Sequence, residues 1–85
     1  MIKIFKMELD DNAFGEEIGT IKVRKGLKNS TKTDKVIEWF EKTYNCKVTN
    51  RMIQGAYDFA TGSYKGGYIL FGDNLPFRKI GYQEV

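Results

Sequence analysis

The first nine residues alternate in character. Ile2 and Ile4 point one way, and Lys3, Phe5, Met7 and Leu9 the other. A period of two predicts a strand over residues 1–9. Asp10, Asp11, Asn12 and Gly15 follow with turn chemistry. Alternation resumes over 18–25, with Ile21 and Val23 on one side and Thr20, Lys22 and Arg24 on the other. Two such runs joined by a short connection predict an antiparallel hairpin.

The period then changes. After a polar, basic connection over 26–33, Thr33 or Asp34 is placed to cap a helix. At 3.6 residues per turn, Val36, Ile37, Phe40 and Tyr44 share one face. Asp34, Lys35, Glu38, Glu41 and Lys42 fall opposite, and Trp39 sits at the edge of the apolar stripe. Glu38 and Lys42 stand four apart in the favourable orientation. A turn through Asn45, Cys46, Lys47 and Val48 closes the element.

Residues 49–61 fit two templates. On a helical wheel Met52, Ile53, Ala56, Tyr57, Phe59 and Ala60 gather in one arc, whereas a strand would put Met52, Ala56 and Ala60 on the side of Gln54 and Asp58. The pattern therefore predicts a second helix over 50–60, capped by Thr49 or Asn50 and stopped by Gly62. Gly55 would destabilise that helix by roughly 1 kcal/mol relative to alanine. The glycine-rich stretch 62–67 reads as a loop. Tyr68–Phe71 and Phe77–Tyr82 read as strands around a turn containing Asp73 and Pro76. The expected fold is α+β: two hairpins forming one antiparallel sheet with two helices on one face, in the order ββααββ. A strand at 50–60 would give ββαβββ instead.

The layout of residues 33–82, a helix, a turn, a second helix and a hairpin, resembles a winged helix-turn-helix domain. The resemblance is one of topology. It implies that the second helix reads the major groove through Asn50, Arg51 and Gln54, with Asp58 on the same exposed side. A hairpin here replaces the usual first helix of that fold.

Length bounds the organisation. Eighty-five residues with 41% apolar content make one domain, spanning 1–85, and are too hydrophobic for a disordered tail. No apolar run approaches a membrane span. The start, Met1 to Lys6, lacks the continuous apolar stretch of a signal peptide, and one cysteine cannot form an internal disulfide. These features together predict a soluble, cytoplasmic protein. Abundant lysine, asparagine, isoleucine and tyrosine fit an AT-rich coding genome, such as a low-GC bacterium or its phages.

Composition excludes most catalytic chemistry. The chain has no histidine, which removes the commonest neutral-pH base and every Ser-His or Cys-His nucleophile pair. Cys46 next to Lys47 reads as a small apolar residue in a turn rather than a nucleophile. One cysteine and no histidine cannot build a zinc site. The run from Asp10 to Glu17 looks like a calcium loop only in outline, because Phe14 takes a ligand position and Ile21 stands where glutamate should. Asp58 and Asp73 have no spacing that joins them as a magnesium pair. Lys65 precedes Gly66 rather than following a phosphate-cradling glycine pattern. The expectation is a non-catalytic protein without cofactor or metal.

Charge supplies the functional signal. The net charge is +3. Residues 1–19 set Lys3 and Lys6 against Glu8, Asp10, Asp11, Glu16 and Glu17, whereas residues 20–33 carry Lys22, Arg24, Lys25, Lys28 and Lys32 with no acid. Clustered cations beside glycine and hydroxyl residues suit phosphate contacts. The leading expectation is a binding protein for nucleic acid or a nucleoprotein, contacting it through Lys22, Arg24, Lys25, Lys28 and Lys32, with Arg51 and Gln54 as readers. The alternative is a protein-binding inhibitor or adaptor, of the kind phages and mobile elements direct at host machinery. It would meet its partner through Tyr64, Lys65 and Tyr68 in and beside the glycine loop. A small phosphorylated ligand at the same basic loop is a third option.

Overall fold

The computed structural model describes residues 1–24, 26–58, 63–72 and 75–85; for Asn29, 56–58 and 63–65 it describes the backbone alone. Lys25 lies outside the described residues, as do the turn residue Asp73 and the expected helix stop Gly62; Tyr64 and Lys65 are described in backbone only.

The chain folds as a small α+β domain in the order ββαβββ. Its elements are β1 (Ile2–Lys6), β2 (Glu17–Ile21), α1 (Asn29–Tyr44), β3 (Arg51–Asp58), β4 (Ser63–Phe71) and β5 (Lys79–Glu84). The strands form one sheet in the order β2-β1-β5-β4-β3, antiparallel at every junction. Ile2 lies opposite Ile21 of β2 and Glu84 of β5, and Ile69 lies opposite both Ile53 and Ile80. Strand alternation therefore sends Ile2, Ile4, Ile69, Phe71, Ile80 and Tyr82 to one face. There they pack with Val36, Ile37, Phe40 and Val48 as the buried core. The expected helix face is this one: Val36, Ile37 and Phe40 are buried, and Tyr44 packs on Trp39, Phe40 and Phe77.

The two-helix arrangement is corrected. Residues 51–58 form β3, not a helix, and pair with β4 from Arg51 opposite Phe71 to Asp58 opposite Ser63, with a bulge at Ala56/Tyr57. The wheel misled because it assumes that apolar residues seek burial. An edge strand has a neighbour on one side only, and here Met52 is 60% and Ile53 38% exposed. The expected glycine loop is likewise partly strand, since Gly66 and Gly67 lie in β4. With no second helix there is no winged helix-turn-helix layout and no recognition helix to present Arg51 and Gln54.

The helix also begins earlier than expected. Thr33 does not cap it; its hydroxyl donates to the carbonyl of Ser30 at 2.8 Å, one turn back and out of water. The helix starts at Asn29, after Lys28, whose side chain makes no cap hydrogen bond, and no acid occupies the first turn. At the other end Asn45 takes the left-handed conformation, φ 50°, that closes many helices. Glu41 ties down the exit, accepting the Val48 N–H on its carboxylate at 2.8 Å and the Cys46 N–H on its carbonyl. The uncapped start carries a prediction. Lys28→Asp supplies both a cap and a favourable charge for the helix dipole, so it should stabilise the fold by about 1 kcal/mol. A thermal melt should register this as a rise of roughly 4–8 °C.

The β1–β2 connection folds back over the face opposite α1. Phe14 stacks on Phe5 with centroids 4.8 Å apart and covers Gly81. The buried Lys79 ammonium donates to the Asp11 carbonyl and to Asn12 Oδ1, and stands 4.5 Å from the centre of the Tyr68 ring. The acidic turn is thus held by the protein's own cation, and its Asp11 carboxylate accepts the Ala13 N–H.

Candidate nucleic-acid interface

The basic residues reach the surface for a local reason. Beyond the end of β2, Val23 turns inward against the core, so Lys22 and Arg24 on either side of it face solvent. Lys28 is exposed where the chain enters α1. The carboxylates of the N-terminal segment do not neutralise them. Glu17 pairs with Lys3 at 3.7 Å and Glu16 with Lys6 at 3.3 Å. Among the described residues no carboxylate pairs with Lys22, Arg24, Lys28 or Lys35.

Lys32 stands apart from this group. It is buried on the sheet-facing side of α1, and its ammonium meets Glu84 of β5 at 3.1 Å. Its role is to tie the first turn of the helix to the end of the central strand. The sequence placed it in an exposed loop because the helix start was read one turn too late.

Arg51 and Gln54 lie elsewhere. β3 and β2 are the two edges of the sheet, four strand spacings or roughly 19 Å apart. Being three residues apart on one strand, Arg51 and Gln54 also point to opposite faces. Arg51 stands 3.9 Å from Asp34, and both are substantially exposed, an arrangement that adds little stability. Tyr68 belongs to the far face, under the Lys79 ammonium.

What the fold adds to the basic segment is a cleft between β2 and α1. Ile21, Lys22, Lys35, Glu38, Trp39 and Lys42 line it. Positions 35, 38, 39 and 42 follow the i, i+3, i+4, i+7 spacing of one helical stripe, so one side of α1 supplies most of the wall. Trp39 is half-buried and lies directly over Gly19. A β-carbon at that glycine would stand 2.1 Å from Trp39 Cζ2, so the indole can seat on β2 only because residue 19 has no side chain. The Tyr44 ring stands nearly perpendicular to the indole, with centroids 6.0 Å apart. Glu38, the one acid of the cleft among the described residues, is engaged by Lys42 at 3.1 Å. In sequence Lys35, Trp39 and Lys42 read as helix-face residues and not as part of the basic patch. Their helical spacing was readable, but nothing in the chain announced that this stripe would stand beside Lys22.

Chemically the cleft offers ammonium groups around an indole and an isoleucine. It suits phosphate and a flat apolar ring. Cys46 takes no part: burial first, and then the negative charge of Glu41, push its thiol pKa up, away from the reactive thiolate. No group of three or more candidate metal ligands occurs among the described residues, and no described helix is long and apolar enough to cross a membrane. The chain matches no protein-family model, no curated protein and no solved structure.

Proposed function

We propose that this chain is a small non-catalytic binding protein that contacts nucleic acid, or a nucleoprotein, through the β2–α1 face. The observation that carries the reading is that Lys22, Arg24, Lys28 and Lys35 are exposed and without carboxylate partners among the described residues, and that Lys22 and Lys35 line one cleft with Lys42 and Trp39. Lysine is a compact point charge suited to phosphate oxygens. Contacts of this kind release counterions from the nucleic acid, so affinity should fall steeply with salt. Four phosphate contacts give a log–log slope of about −3.6 on duplex DNA and about −2.8 on a single strand.

The triple variant Lys22→Glu, Lys28→Glu, Lys35→Glu tests this. All three side chains are exposed, so thermal stability should be little changed. Binding to a random-sequence oligonucleotide at low ionic strength, followed by fluorescence anisotropy, should weaken by at least about 100-fold. Equal binding by variant and parent, or no binding by the parent, would remove the reading.

A second reading, a protein-binding inhibitor or adaptor, has its own observation in β3. Gly72 N–H donates to the Asn50 carbonyl at 2.8 Å, which makes 50 and 72 a hydrogen-bonded pair. By alternation, the N–H and C=O groups of Arg51, Ile53 and Gly55 point away from β4, along an open edge with Met52 and Ile53 exposed. Such an edge can accept a strand from another protein. That reading predicts a partner retained at high salt, where the phosphate contacts of the first would be lost.

A further inference from the structure

We infer that the cleft between β2 and α1 takes an unpaired base of a single-stranded nucleic acid against Trp39, and that the protein prefers single strands to duplex. The inference rests on the proposed nucleic-acid reading and specifies its substrate. A phosphate-binding surface needs only cations, whereas this one sets its cations in one cleft with two apolar side chains. Ile21 and Trp39 line it together with Lys22, Lys35 and Lys42, the last of these paired with Glu38. A nucleotide has the same division, a flat ring flanked by phosphates. In a duplex the ring faces are hidden in the stack, and only a strand with unpaired bases can offer them.

The indole is already fixed before any ligand arrives. Gly19 lets it rest on β2, and the Tyr44 ring packs against it nearly at right angles. Little side-chain freedom remains to be lost on binding. The lining also indicates what the cleft does not do. Among the described residues it contains no arginine, asparagine or glutamine, the side chains that form paired hydrogen bonds with base edges. Recognition there rests on stacking and charge, so it should tolerate any base sequence.

Trp39 is the only tryptophan in the chain, so its emission reports on the cleft directly. Three probes of equal length separate the possibilities: oligodeoxythymidine, the same backbone without bases, and a hairpin duplex. The inference expects oligodeoxythymidine to quench Trp39 and to bind about tenfold or more tightly than the other two. Trp39→Leu should lose that preference and keep the salt slope, while Trp39→Phe should retain part of it. Equal affinity for the three probes, or unchanged Trp39 emission on binding oligodeoxythymidine, overturns the inference and leaves the wider nucleic-acid reading standing. Failure of all three probes to bind at low salt overturns both. The parent protein alone decides between these outcomes, whatever the variants do to folding.

Discussion

Replacing Phe40 with alanine should remove about 3–5 kcal/mol of folding stability. Phe40 is fully buried. Its ring lies 4.7 Å from Phe71 of β4, 5.0 Å from Tyr44 and 6.2 Å from Phe77, so it joins helix, sheet and the β4–β5 connection in one aromatic cluster. The variant loses the transfer energy of the ring and leaves a cavity that three rigid rings cannot collapse to fill. A domain of this length has a total stability on the order of 4–13 kcal/mol, so the loss takes from about a quarter to all of it, and the variant should melt well below the parent. Urea denaturation followed by far-UV circular dichroism measures the difference. A loss under about 1 kcal/mol would mean that the α1–sheet interface is not centred on this ring.

Gly67→Ala should destabilise by about 2–3 kcal/mol, through added volume rather than lost volume. A β-carbon at residue 67 would stand 2.1 Å from the Gln54 carbonyl oxygen and 2.8 Å from Gly55 Cα. Both are backbone atoms of the neighbouring strand and cannot rotate aside. The added methyl must therefore push β3 away from β4 in the middle of their ladder. Hydrogen exchange should show the damage as lost protection in β3 and β4, with β1 and β2 still protected. Gly67→Val should be worse than Gly67→Ala. If both variants melt with the parent, the two strands do not approach as closely as described.

These two residues mark different limits of sequence reading. The burial of Phe40 was legible because α1 carries a clear 3.6-residue stripe, and that pattern has the same meaning whatever the stripe packs against. The crossing at Gly67 was not. Glycines in sequence signal freedom, so 62–67 read as a loop, whereas Gly66 and Gly67 belong to a strand whose neighbours approach too closely for any side chain. The candidate site divides in the same way. Lys22, Arg24 and Lys28 were visible as a run of cations without acids, and the structure leaves them exposed. Lys32 belonged to the same run but is buried against Glu84, a residue 52 positions later in the chain.

The chain alone determined the α+β class, the first hairpin, the apolar face of α1 and the uneven spread of charge, because each depends on residues a few positions apart. Only the tertiary structure decided that residues 51–58 are an edge strand, that Arg51 and Gln54 lie across the sheet from the basic segment, and that Trp39 and the α1 lysines stand beside Lys22. Those outcomes depend on which strands become neighbours. Strand order is set by backbone pairing between distant segments and by the close approach its glycines permit, and neither leaves a periodic mark in the sequence.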